Sequence, residues 1–355
     1  MNERSATPPD LLFVGTRGGI ESTVVPRAGL PLAHVVSRPL VRRLSLGTAR
    51  TLAANALGIA QSLRIVARFG PDCVVATGGY VAFPVVLAAR ILRTIGLSRA
   101  RIALLEPNAT PGLANRLLAP LVDEMWVDSG SGTGGKTVAT GTPVRGSIAR
   151  FLAPAAARQA LGLAPDRTTV VVMGGSQGAR RINEAVAQAA AFRAFPDDWQ
   201  VLLVTGEREA GWQRAQTDRP TGGVTVVPYL DDPAAAYAAA DIVVARAGAS
   251  TIAELAATGT PAILVPYPFA TGDHQAHNAE RARALGVARI VRDEDLTGAR
   301  LAAELRAALE GDELESLRNA ARRLASIDAR TLVCDRIAVL AARVKPHGVA
   351  NEQHP

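Results

Sequence analysis

Short apolar runs alternate along this chain with longer stretches in which apolar and polar residues recur every three or four positions. The runs at 11–14, 73–76, 102–105, 169–173, 201–205, 224–227, 242–245 and 262–265 are apolar almost throughout. That is the pattern of strands covered on both faces. The stretches at 47–68, 82–95, 179–194, 251–258 and 275–285 carry the helical period. The βαβα order predicts an α/β protein built on doubly wound parallel sheets with helices on both faces. Right-handed crossovers then put the strand C-termini, and the loops after them, on one edge of each sheet. The pattern breaks at 146–166, where Pro154 and Pro165 fall between two such series. The expected division is a first domain over 1–146, a linker over 147–166, a second domain over 167–329, a helix over 330–344 and a tail over 345–355.

Composition narrows the class. A length of 355 residues suits two domains, and 48% apolar with 20% charged residues is the balance of a folded globular chain. The net charge of +7 is unevenly spread: residues 1–150 hold 17 basic and 8 acidic side chains, the remainder 22 and 24. A basic first half suggests a polyanionic partner, either nucleic acid or an anionic membrane surface, or simply a solvated arginine-rich face. Aromatic residues are only 4% and no basic stretch alternates with stacking rings, so nucleic acid is not expected. Cys73 and Cys334 are too few for a disulfide framework or a metal site and point to a reducing compartment. No leader-like segment opens the chain, and no run reaches the roughly 20 apolar residues of a membrane span. The expected location is cytoplasmic, with any membrane met from its surface.

Three loops carry candidate chemistry. The first joins the 169–173 run to the next helix through Gly174-Gly175-Ser176-Gln177-Gly178-Ala179. Glycines there would let a ligand approach the backbone, and the helix start offers N–H groups to a pyrophosphate or a sugar hydroxyl. Ser176 could add its hydroxyl. The same turn also serves as a bare strand-to-helix connection. Its Gly-Gly-x-x-Gly spacing differs from the dinucleotide fingerprint, and no acidic residue follows at the expected strand end, which argues against NAD. The second loop, Arg246 to Glu254, runs into a helix with Ser250 or Thr251 as the expected N-cap. Phosphate would suit that start, and Glu254 could accept from a ribose diol or merely complement the helix dipole. The third, Thr271 to Asn278, presents Gln275 and Asn278 as amides for sugar hydroxyls. His274 and His277, three apart with no further ligand, are a weak metal signal, and no metal is expected.

Taken in order, these motifs resemble the bacterial peptidoglycan N-acetylglucosamine transferases, the MurG family. The matching stretches are Gly174 to Ala179, Asp231-Asp232 to Ala240-Asp241, Ser250 to Glu254, and His274-Gln275 with Asn278. In the first half they are Gly78-Gly79-Tyr80, Glu106-Pro107-Asn108 with Gly112 to Asn115, and Gly141 to Arg145. The resemblance spans about residues 11 to 340. It implies the GT-B fold, two Rossmann-like domains facing a cleft, with the donor in the C-terminal domain and the acceptor mainly in the N-terminal one. It implies transfer from UDP-GlcNAc to undecaprenyl-pyrophosphoryl-MurNAc-pentapeptide, lipid I to lipid II, at the cytoplasmic face of the cell membrane as a peripheral protein. Cell-wall synthesis, cell shape and division follow from that reaction. No cofactor is implied, because helix dipoles stabilise the leaving diphosphate.

Carried over residue by residue, the resemblance places Arg145 and Ser176 on the UDP-sugar and Asn108 near the reacting sugar. Leu230 lies against the uracil. Ala249, Ser250 and Thr251 hold the diphosphate, and Ile252 and Ala253 also belong to the UDP-GlcNAc site. Glu254 takes the ribose hydroxyls, Gln275 the GlcNAc hydroxyls, and Tyr80 lies on the acceptor side.

Two departures stand out. The family opens with a strand and a Gly-Gly-Thr-Gly-Gly-His loop whose His is the usual candidate base, whereas Leu11 to Thr16 matches its second strand. The first domain is therefore expected to lack its first βα unit and to leave a sheet edge open. The similar glycines at Gly130 to Gly135 lie in a later loop without His. The other departure is Leu105, where the family often has His, leaving Glu106 as the carboxylate to consider for the base. Competing readings are a UDP-sugar-binding protein without turnover, another lipid-directed GT-B transferase, and, more remotely, a Rossmann oxidoreductase. The 38–68 stretch, with Arg38, Arg42, Arg43, Arg50, Arg64 and Arg68 among leucines, suits peripheral contact with anionic lipid.

Overall fold

The computed structural model describes residues 9–39, 46–128, 134–148, 152–175, 178–209, 223–310, 312–325 and 328–343. The chain divides into two compact units. The first comprises Met1–Glu106, Pro111–Thr140 and Val333–Pro355, the second Pro107–Thr110 and Gly141–Leu332.

In the first unit β1 (Phe13–Gly15), α1 (Glu21–Arg27) and β2 (Leu32–His34) form a parallel βαβ unit of two strands. There follow α2 (Leu46–Phe69), β3 (Cys73–Ala76), α3 (Gly79–Thr94), β4 (Arg101–Glu106), α4 (Leu113–Leu118), β5 (Glu124–Val127) and β6 (Thr137–Ala139). Strands β3 to β6 pair in chain order, all parallel. Among the described residues no ladder joins β1 to β3, so each presents one open edge. One face of the four-stranded sheet packs Ile102 and Leu104 against Val66 of α2 and Val86, Ala89 and Leu92 of α3. Pro84 lies inside α3 and cannot donate to the Tyr80 carbonyl four residues back. The Ser37 hydroxyl donates to that carbonyl instead, at 2.8 Å.

The second unit contains α5 (Pro154–Ala160), β7 (Thr168–Met173), α6 (Arg180–Ala191), β8 (Trp199–Val204), β9 (Val224–Val227) and α7 (Ala234–Ala239). It continues with β10 (Ile242–Ala245), α8 (Ala249–Thr258), β11 (Ala262–Leu264), α9 (His274–Ala284), β12 (Ala288–Ile290), α10 (Gly298–Leu309) and α11 (Glu313–Ala325). The six strands run parallel in the order β12-β11-β10-β7-β8-β9. Residues of alternate parity point to opposite faces. Val171, Val243, Ala245 and Leu264 join one core cluster, and Val170, Val172, Ile242 and Val244 the other. Both faces are covered, which is why the strands are apolar without alternation.

The last helix, α12 (Ala329–Ala342), brings the chain back into the first unit. Its Leu340 is fully buried with Ala103 and Trp126, beside Val333 and Ile337. Arg336 closes the contact on the Glu124 carboxylate, which also accepts from the Trp126 indole at 3.0 Å. Burial pushes the Glu124 carboxyl up, but the hydrogen bonds from Arg336 and Trp126 outweigh it and hold the group below the usual range.

Candidate functional site

In the second unit the chain runs from β7 outward through β8 to β9, then crosses back to β10 and builds outward on the other side. The order reverses between β7 and β10. Loops beyond the carboxyl ends of these two strands diverge and leave a crevice, the usual ligand position in open α/β sheets. The loops after β7, β10 and β11 sit on three adjacent strands, so the three segments singled out in the sequence lie side by side.

The turn after β7 is tight for internal reasons. A Cβ on Gly174 would lie 2.4 Å from the Ala179 amide nitrogen, and one on Gly178 would lie 2.3 Å from the Thr205 carbonyl oxygen. Gly178 has φ +81 and Gly175 φ +86, values that side chains resist. These glycines therefore make the turn itself, beyond any service to a ligand. Ser176 lies outside the described residues.

The second loop differs from expectation in its cap. Neither Ser250 nor Thr251 caps the helix; Gly248 does, with no side-chain bond, and α8 starts at Ala249. The Ile252 amide already bonds the Gly248 carbonyl at 3.0 Å. From there the amides enter the helix ladder, so those of Ala249, Ser250 and Thr251 are the ones left for an anion. The Ile252 side chain packs on the core, and Ala253 lies within the helix beyond it. Glu254 follows on α8.

Around Glu254 several elements converge. Tyr237 of α7 donates from its hydroxyl to Glu254 Oε2 at 2.7 Å. Arg145 Nη2 lies 3.7 Å from Glu254 Oε1, and Arg145 Nη1 donates to the Asp231 carbonyl at 3.1 Å. Leu230 is half-buried against the same core cluster. Burial and the negative charge of Glu254 push the Tyr237 phenol far above its ordinary range, so it remains a proton donor.

In the third loop, Gln275 Oε1 accepts from the Tyr267 amide at 2.9 Å. Asn278 corrects the sequence expectation. It is 4% exposed, and its amide is spent on the protein. Its Nδ2 donates to Asn108 Oδ1 and to the Ala247 carbonyl, each at 3.2 Å, and its Oδ1 accepts from the Ala109 amide at 2.8 Å. Asn278 thus holds the Pro107–Thr110 segment rather than a sugar hydroxyl. Arg246, which sequence reasoning passed over, is anchored by Asp293 at 2.5 Å and stacks over Tyr267 at 5.4 Å. A charge after a strand end was the available signal for it. Among the described residues no three His, Cys, Asp or Glu side chains gather as metal ligands.

In the first unit Glu106 is 1% exposed. Its Oε2 accepts from Asn115 Nδ2 at 2.7 Å and from the Gly112 amide at 3.2 Å. Those bonds tie down the turn into α4, a positioning task that differs from abstracting a proton. Tyr80 is 39% exposed at the start of α3.

Sequence models of the glycosyltransferase family 28 C-terminal domain and N-terminal domain match residues 169–331 and 7–127. A Moorella thermoacetica protein is 41% identical over 303 residues, covering 82% of this chain and 80% of its own. A Desulforudis audaxviator protein is 39% identical over 351 residues, covering 94% and 91%. Both are named UDP-N-acetylglucosamine–N-acetylmuramyl-(pentapeptide) pyrophosphoryl-undecaprenol N-acetylglucosamine transferase. The chain belongs to the MurG family. The crystal structure of MurG from Acinetobacter baumannii matches with a TM-score of 0.69 and 25% identity, over 92% of this chain and 90% of that one. Membership in the MurG family makes the chain a glycosyltransferase with two Rossmann-like domains, the GT-B fold.

Proposed function

We propose that this chain transfers N-acetylglucosamine from UDP-N-acetylglucosamine to undecaprenyl-pyrophosphoryl-N-acetylmuramyl-pentapeptide, converting lipid I to lipid II. The observation that carries the reading is the start of α8. Three helix-end amides, at Ala249, Ser250 and Thr251, lie one turn from a carboxylate, Glu254, that accepts from the Tyr237 hydroxyl and has the Arg145 guanidinium 3.7 Å away. A nucleoside diphosphate has that pattern of charge: two phosphates for the helix dipole and a vicinal diol for the carboxylate. Leu230 supplies an apolar wall for the base, and Gln275 stands at the third loop for the sugar.

In the reaction the acceptor hydroxyl gives up its proton to a base or to solvent as its oxygen attacks the anomeric carbon, the bond to the β-phosphate oxygen breaks, and UDP leaves with that electron pair. The configuration inverts. Helix-end amides stabilise the charge that develops on the diphosphate. Labelled GlcNAc transfer to a short-chain lipid I analogue tests the reading. Radiolabelled product at the acceptor supports it, and UDP binding without any product in the presence of acceptor refutes turnover.

An acceptor with a polyprenyl tail requires approach to a bilayer. No helix among the described residues is long and apolar enough to cross a membrane. Exposed Leu52 and Leu57 share α2 with exposed Arg50, Arg64 and Arg68. Ile95 and Leu97, after α3, are 60% and 71% exposed. Apolar side chains beside arginines suit shallow insertion into anionic lipid. Arg42 and Arg43, part of the same expectation, lie outside the described residues. Co-sedimentation with anionic vesicles that survives Leu57→Glu and Leu97→Glu together would count against this surface.

A further inference from the structure

We propose that Tyr237 is the positioning residue that gives the donor site its preference for a ribonucleotide over a 2′-deoxyribonucleotide, by fixing the Glu254 carboxylate from beneath. The proposal rests on the reading of Glu254 as the ribose ligand given above.

A glutamate on the first turns of an exposed helix is ordinarily free to swing, and a swinging carboxylate discriminates poorly. Glu254 is not in that condition. Its side chain is only 16% exposed, and Oε2 takes a 2.7 Å hydrogen bond from a tyrosine that is itself 3% exposed. The tyrosine cannot follow a moving partner. Its ring belongs to the core cluster with Val243, Ala245 and Leu255. Its helix is short, and its backbone carbonyl accepts from the Thr260 hydroxyl at 3.4 Å. The donor to Glu254 therefore has one position.

That single bond has a directional consequence. It occupies a lone pair on Oε2 and restricts how the carboxylate can turn. The other oxygen, Oε1, lies 3.7 Å from Arg145 Nη2. A carboxylate restrained in this way can accept two hydrogen bonds from a vicinal diol. It loses one of them, with less rotation available to compensate, when the 2′-hydroxyl is missing. A site built to bond a hydroxyl rejects an analogue lacking it much more strongly than a flexible one does. Arg145 is not an equivalent restraint. Its side chain is 56% exposed, and its distance of 3.7 Å exceeds a normal hydrogen bond.

Calorimetric titration of UDP and 2′-deoxy-UDP into the full chain, the Tyr237→Phe variant and the Glu254→Ala variant tests this. Phenylalanine keeps the ring and its burial and removes only the hydroxyl. The expected result is a wild-type preference for UDP of at least about tenfold that falls to about threefold or less in Tyr237→Phe. The thermal midpoint should stay within about 5 °C of wild type. A structural role alone would weaken both ligands equally and leave their ratio intact, and a retained wild-type ratio in Tyr237→Phe overturns the proposal. Tyr237→Leu is measured alongside, so that a folded variant without the hydroxyl is available if one of the two does not fold. Glu254→Ala separates the levels. If it abolishes the preference while Tyr237→Phe does not, the ribose reading stands and the tyrosine's role fails. If Glu254→Ala keeps the preference, the ribose reading itself fails, and this proposal with it.

Discussion

Asn278, the fifth residue of α9 in the second unit, donates its side-chain amide to Asn108 Oδ1 at 3.2 Å while its own oxygen takes the Ala109 N–H at 2.8 Å. One buried side chain thereby fixes both the side chain and the backbone of the segment expected beside the reacting sugar. Replacing Asn278 by Ala withdraws an acceptor from the Ala109 amide and a donor from the Ala247 carbonyl. A buried group left without its partner costs about 1–3 kcal/mol. The expected outcome is a loss of that size in urea denaturation, together with a fall in kcat greater than the rise in the donor KM. A variant as stable as wild type would show that the bonds are dispensable.

Ser250 separates helix stability from ligand binding. It is exposed in the first turn of α8, with no side-chain capping bond at the helix start. Ser250→Asp adds a negative charge where the helix dipole favours one, a gain of about 0.3–1 kcal/mol for the ligand-free protein. The same charge repels a diphosphate a few ångströms away. Thermal melts should therefore show an unchanged or slightly raised midpoint, and titration should show UDP binding weakened at least about tenfold. Opposite signs in the two measurements are the signature; unchanged UDP affinity would remove the phosphate from this helix end.

Two glycines of the turn after β7 make a matched comparison. Both have positive φ, but only Gly178 faces the Thr205 carbonyl, whereas the Cβ of an alanine at 175 would meet nothing within 4 Å. Gly175→Ala should cost about 1–2 kcal/mol, the left-handed backbone term alone. Gly178→Ala adds a collision with backbone, and its cost should exceed that of Gly175→Ala by about 1 kcal/mol or more. Chemical denaturation of the two variants in parallel measures the difference.

Acid stability should follow Asp123 and Glu124. Burial pushes the Asp123 carboxyl up, but the Arg93 guanidinium, 2.6 Å away, and the Ile102 amide pull it below its usual range. Glu124 is lowered against burial by Arg336 and Trp126. Folded values lie below unfolded ones, which are about 3.9 and 4.3. The folded state then binds fewer protons, and stability rises with pH through this window. The contribution is complete above the unfolded values and is lost as pH falls through the folded ones. Denaturation midpoints should be flat with respect to these groups above about pH 5 and fall below about pH 4. In Asp123→Asn the acid-side slope should be shallower, and an identical slope would mean that Asp123 is not one of the groups responsible.

Long elements were readable from pattern. The stretches 47–68, 82–95, 179–194, 251–258 and 275–285 correspond to α2, α3, α6, α8 and α9 to within about three residues at either end. The apolar runs correspond to β1, β3, β4, β7, β8, β9, β10 and β11. Strands β2, β5, β6 and β12 escaped it. Three of these have three residues, and Leu32–His34 and Ala288–Ile290 carry a polar or charged side chain. A short edge strand is stabilised by its neighbour's ladder, which no local window contains. β5, of four residues, begins with Glu124, a charge tolerated because Arg336, more than two hundred positions later, meets it.

The sequence by itself determined the class of fold, the three loops and their residue types, because burial on both faces and tight backbone turns restrict composition locally. It could place Glu254 on a helix start and Gln275 on another. It could not say that Gly248 caps α8, that Asn278 is consumed by Asn108 and Ala109, that Glu106 is shut inside a turn, or that Tyr237 stands under Glu254. Those are decisions of tertiary structure. A hydrogen bond between residues 17 or 170 positions apart leaves no periodicity in the chain, and whether a polar side chain faces a ligand or a neighbour depends on which strands pack side by side.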